Sequence, residues 1–179
     1  MMKKITTILF MAAAMVITIS CDSDDDLPVT QPIQVNTFCY GDQTTNFETI
    51  GAFREEPQLS GGTGVLTEVT VIGDGLQLND MDELEGAGVL MQINFYGNST
   101  DSFQTGLYQI ASTEEPADAS LSYSLDFDTA TMFNTSTSLE SGFIRVETYQ
   151  TGYAITVDGL DTNGDEFHGI YLGNIALLQ

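Results

Sequence analysis

Val89, Met91, Ile93 and Phe95 alternate with Leu90, Gln92, Asn94 and Tyr96, and Gly97-Asn98 stops the run. A period of two sends successive side chains to opposite faces of an extended chain, so this stretch predicts a β-strand. The same grammar recurs along the chain. Val35, Thr37 and Cys39 alternate with Asn36, Phe38 and Tyr40 before a Gly41-Asp42 turn, and a second run covers Phe47 to Phe53. Val65, Thr67, Val69 and Val71 share a face up to Gly73-Asp74-Gly75, and Leu107 to Ala111 is a short run. Leu121, Tyr123, Leu125 and Phe127 share a face against Ser122, Ser124 and Asp126. The last third is a meander of Phe143–Thr148, Tyr153–Leu160, Phe167–Tyr171 and Ile175–Leu178, with turns at Gly152, Asn163-Gly164 and Gly173-Asn174. Asn79 to Glu85 reads as one helical turn or a loop.

Nowhere do apolar residues repeat at helical spacing for three turns. Short alternating strands broken by glycine predict an all-β fold, an antiparallel β-sandwich of about eight to ten short strands over residues 35–179. A lipocalin-like flattened β-barrel enclosing a pocket is the alternative.

The N-terminus has a different character. Lys3 and Lys4 precede an apolar run from Ile5 to Ile19, then Ser20 and Cys21. That run is too short for a bilayer core of ~30 Å, which needs roughly 20 helical residues. A basic start, a brief apolar core and a small residue before the cut describe a secretory signal peptide over residues 1–20. Cys21 directly after Ser20 predicts lipoprotein processing, with the thiol carrying a diacylglyceryl group. An ordinary signal peptide with Cys21 incidental is the competing reading. Thr18 stands where a lipobox normally has Leu. Residues 21–34, with Pro28 and Pro32, predict a linker, and Asp22 to Gln34 would reach roughly 40 Å when stretched at ~3.3 Å per residue.

Charge narrows the function. The 179-residue chain has formal net charge −22. Once Lys3 and Lys4 leave with the signal, Arg54 and Arg145 are the remaining fixed cations. Nucleic-acid binding depends on cationic neutralisation of phosphate and is excluded on this balance. Divalent cations, cationic partners or plain solubility fit it. Cys39, with Cys21 lipidated, is expected to lack a disulfide partner and to pack as a small hydrophobe.

Several residue patterns could carry chemistry. Asp161, Asn163 and Asp165 have the alternating oxygens of a calcium loop, but Glu166 and Leu172 occupy the positions where a helix–loop–helix site needs Gly and Glu. An Asn-Gly hairpin turn explains them as well. Asp80, Asp82, Glu83 and Glu85 form a denser acidic cluster that would suit a hard cation or simply face water. No cofactor is expected apart from such a calcium ion. Asp126 and Asp128 share a strand face about 7 Å apart and are the carboxylate pair for a polysaccharide hydrolase. His168, the one histidine, is expected to face solvent opposite Phe167. Tyr149 and Tyr96 are the aromatics that a weak glycan-binding face would use.

Ser23-Asp24-Asp25-Asp26, just after Cys21, resembles the acidic surface-export signal of lipoproteins from Bacteroidota. The resemblance implies an outer-membrane protein facing the exterior; in enterobacterial lipoproteins an Asp at the position of Asp22 accompanies inner-membrane retention. Asn36-Thr37-Phe38-Cys39-Tyr40-Gly41, Gln104-Thr105-Gly106-Leu107-Tyr108, Ser141 to Val146, Gly152 to Val157 and Asn163 to Gly173 resemble a small Bacteroidota lipoprotein domain of uncharacterised function. That resemblance covers most of residues 35–179 and implies an all-β fold without catalytic residues. Asp128-Thr129-Ala130 is similar to the O-glycosylation motif of exported Bacteroidota proteins, which makes Thr129 the acceptor. The expectation is a lipid-anchored, non-enzymatic binding or accessory module with a glycan or an outer-membrane protein as partner. The alternatives are a carboxylate-dependent polysaccharide hydrolase and a calcium-stabilised adhesin.

Overall fold

The computed structural model describes residues 34–41, 45–131 and 135–178. The expected signal peptide, the expected lipidation site Cys21 and the acidic run Ser23 to Asp26 lie outside the described residues. Twelve strands and no helix are found among those described. They are β1 (Thr37–Gly41), β2 (Thr45–Arg54), β3 (Gln58–Leu59), β4 (Val65–Gly73), β5 (Leu76–Leu78) and β6 (Leu84–Gly97). Then follow β7 (Gly106–Ile110), β8 (Asp118–Asp128), β9 (Ser136–Tyr149), β10 (Gly152–Asp161), β11 (Glu166–Gly173) and β12 (Ile175–Leu177).

The fold is an all-β sandwich. One layer holds β1, β11, β10 and the second half of β9; the other holds β4, β6 and β8. Two strands turn the corners between layers. Up to Glu48, β2 pairs with β1; from Thr49 it pairs with β4, with a register shift between Thr49 and Gly51. Ser136 to Ser138 of β9 pair with β8, and the rest of β9 pairs with β10 and β7. Strands that change layer at a bulge are how such sandwiches make corners. The ladders thereby run on from layer to layer, a feature shared with the flattened-barrel alternative. The interior is packed with side chains. Phe38, Phe95, Phe167, Met91, Ile93, Ile144 and Ile155 are essentially inaccessible. Phe38, Phe47, Phe167 and Tyr123 pack ring against ring, with centroids 4.7–6.5 Å apart.

The alternation predicted for β4 and β6 holds: Val65, Thr67, Val69, Val71, Met91, Ile93 and Phe95 are all buried. Three expectations change. Strand number rises to twelve because β3 and β5, of two and three residues, are too short to carry a period. Two pairings, β7–β8 and β12–β2, are parallel. The acidic stretch takes the loop alternative, as expected, and feeds directly into β6, which starts at Leu84. In β8 the expected single apolar face breaks: a register shift opposite Gly88 and Leu90 leaves Leu125 exposed and sends Phe127 to a second cluster. That cluster, with Phe53, Ile72, Leu76 and Leu90, lies on the outer side of the β4–β6 layer.

Candidate functional site

Of the carboxylates singled out in the sequence, Asp161, Glu83, Glu85, Asp126 and Asp128 accept local hydrogen bonds. Asp161 ends β10 and is buried, at 2% exposure. Its Oδ1 accepts from the backbone N–H of Asn163 (2.7 Å) and of Asp165 (3.0 Å), and its Oδ2 from the Tyr123 hydroxyl (3.1 Å). Burial pushes this carboxyl up, but those donors outweigh it and hold it below the ordinary value. The same contact acts oppositely on Tyr123, whose hydroxyl is raised by burial and by Asp161. Asp161-Thr162-Asn163-Gly164-Asp165 is thus a hairpin turn capped by its own aspartate, with Gly164 at positive φ.

Around Asp80 and Asp82 the organiser is Asn79. Its Oδ1 accepts from the N–H of Met81 (2.9 Å) and Glu83 (3.0 Å), and its Nδ2 donates to Glu83 and Glu85. Among the described residues, no three His, Cys, Asp or Glu side chains group as metal ligands.

The proposed hydrolytic pair is similarly engaged. Asp126 accepts from Thr135 and Ser124; Asp128 accepts from the Ala130 N–H and the Thr131 hydroxyl. Thr129 Oγ1 donates to the Gly86 carbonyl (3.0 Å) and accepts its N–H (3.1 Å), so a sugar on that oxygen would displace the donated bond. Tyr96 is buried and offers no ring face, whereas Tyr149 is exposed near the β9–β10 turn.

His168 lies on the outward face opposite buried Phe167, as expected, but is not fully open to solvent. It is half-buried, and its Nε2 is shielded without a hydrogen-bond partner. Cys39, its register neighbour on β1, is buried as predicted but is held in a disulfide, correcting the expectation of an unpartnered thiol. The sequence has one other cysteine, Cys21, which lies outside the described residues.

What the tertiary structure assembles, and the sequence reading missed, is the outer face of β9, β10 and β11. Register places Phe143, Asp158 and His168 in one row and Ser141, Leu160 and Glu166 in the next. These two rows line a groove of about 560 Å³. Phe143 and Leu160 remain 41% and 43% exposed on it. One row further, Arg145 stands opposite exposed Leu107 of β7, beside a second depression. The available signal was the outward half of each alternation, where Phe143, Leu107 and Leu160 sit although the inward half already fills the core.

The groove combines apolar walls with the carboxylates of Asp158 and Glu166. It can hold an apolar group bearing a positive charge. Comparison with family models, curated proteins and solved structures gives no match.

Proposed function

We propose that this chain is a lipid-anchored, surface-facing binding module without catalytic activity, docking a partner protein on the outer face of β9–β11. The observation carrying this reading is the pair of half-exposed apolar side chains, Phe143 and Leu160, flanked by Asp158 and Glu166 on a regular sheet face. An exposed phenyl ring beside carboxylates suits a basic side chain, through cation–π contact and charge pairing. A formal charge of −22 steers such a partner towards the protein. The engaged state of Asp126 and Asp128 argues against the hydrolase reading.

The anchor rests on Lys3 to Cys21 and on the resemblance of Ser23 to Asp26 to a Bacteroidota export signal. A thioether on Cys21 and a disulfide between Cys21 and Cys39 would compete for one sulfur. Intact mass of the mature protein separates them: a diacylglyceryl adduct supports the anchor, and an unmodified Cys21–Cys39 disulfide overturns it.

The binding reading is tested by placing a photo-crosslinking residue at position 143 of the full chain on living cells. A discrete adduct to an outer-membrane protein, lost when the crosslinker is moved to Met81 on the acidic loop, is the expected result. Equal labelling from both positions, or none from 143, refutes it.

A further inference from the structure

The outer face of the other layer is unlike the rest of this acidic surface. Thr70, Gln92, Ser122 and Ser138 form one row across β4, β6, β8 and β9. Glu68, Asn94 and Ser120 form the next. Every position in both rows is partly or fully exposed. Short hydroxyl and amide side chains leave a trough here, seen as two depressions of about 210 and 100 Å³ that share Glu68, Gln92 and Asn94. The side chains of Thr70, Gln92, Asn94, Ser122 and Ser138 make no hydrogen bond to any other part of the described chain.

In a chain with 26 acidic residues, these two rows carry one carboxyl, Glu68, with Glu55 at the edge of the smaller depression. Burial first, then the nearby charge of Glu55, raises that carboxyl above its ordinary value and so works against a charge there. The one cation nearby is Arg54, at the rim, where its Nη1 donates to the Glu55 carbonyl. Apolar side chains contribute only the floor and one edge of the trough, Leu121 and Leu139 in the larger depression and Phe53, Val69 and Leu178 in the smaller, and its charged lining is Arg54, Glu55 and Glu68, so a phosphate group finds no basic cluster in it. Its rows instead offer amides, which donate and accept, and hydroxyls, which do both through one atom. Four strands at ~4.8 Å spacing span roughly 15 Å, the reach of a short oligosaccharide.

We propose that the β4–β6–β8–β9 face, centred on Gln92 and Asn94, is a binding site for a neutral, polyhydroxylated glycan chain. The site deepens the binding-module reading by adding a ligand class on a second face, and it depends on neither the anchor nor the Phe143 groove. Sugar hydroxyls would replace the water now solvating a grid that is already in register, with no rearrangement of the sheet.

The test is affinity electrophoresis of the full chain in gels containing neutral glucan, mannan, galactan or xylan, with uronate-rich and sulfated polysaccharides alongside. Retardation by at least one neutral polysaccharide is expected. It should weaken about tenfold in the Gln92→Ala/Asn94→Ala double variant, from two lost hydrogen bonds. Both side chains are solvent-facing, so an unchanged melting temperature verifies folding, and Phe143→Ala should bind like the parent. Binding confined to the acidic polysaccharides, no binding at all, or binding lost in Phe143→Ala but kept in the double variant would each overturn the proposal. The crosslink from position 143 is unaffected by any of those results, so failure of this site and failure of the docking reading are distinguishable.

Discussion

Replacing Asp161 probes the largest single polar commitment in the core. Its carboxylate is buried and accepts two backbone N–H groups, the Tyr123 hydroxyl and, at 3.4 Å, the Asn163 amide. In Asp161→Ala the two turn N–H groups can turn to water, but the Tyr123 hydroxyl, packed beside Phe47 and Phe167, loses its carboxylate acceptor and keeps only the Thr137 hydroxyl. A hydrogen bond to a charged group contributes about 1.5–3 kcal/mol, and a buried donor left with a poorer acceptor forfeits part of the about 1–3 kcal/mol that a stranded one costs. Removing a buried charge returns part of its desolvation cost, so the net loss is about 3 kcal/mol. At ~2.1 cal/mol/K per residue over a domain of about 145 residues, that is a fall of roughly 10 °C in Tm.

Asp161→Asn keeps the turn acceptor and weakens only the Tyr123 side, and Tyr123→Phe removes the donor. A cycle of these two variants by urea denaturation should give a coupling of about 1 kcal/mol. The pH dependence follows from direction. The folded carboxyl lies below its ordinary value, so its stabilisation is fully present above pH ~4 and is lost as pH falls through the folded value. Parent protein should therefore lose more stability than Asp161→Asn on acidification below pH ~4. Exact additivity of the two substitutions, or parallel acid limbs, would refute the assigned role.

Gly142→Ala should destabilise by about 2–4 kcal/mol in the same assay, because its new Cβ would sit 2.3 Å from the Asp158 carbonyl oxygen at a φ of 128°. Glu68→Gln should raise Tm at neutral pH, since a carboxyl held above its ordinary value of 4.5 opposes folding once ionised; the gain should vanish in acid, where both forms are neutral. Millimolar calcium should leave Tm unchanged, because the Asp161 oxygens already receive protein donors.

The β-rich class was legible in the chain because alternation is a local property: Val89 to Phe95 and Val65 to Val71 point the same way in isolation as in the fold. Turn chemistry at Asn163-Gly164 was legible for the same reason. Which face each alternation presents, and what lies beside it, depends on register between residues far apart in sequence. A single register shift opposite Gly88 and Leu90 redirected Leu125 and Phe127 away from the face their spacing assigned. Likewise Phe143, Asp158 and His168 became neighbours only through the β9–β10–β11 pairing, and Gln92, Asn94, Ser120 and Ser122 only through β6–β8. Backbone pairing across strands is non-local, so no window of sequence contains it. The strands were written residue by residue; the surfaces they make were decided by how those strands were laid side by side.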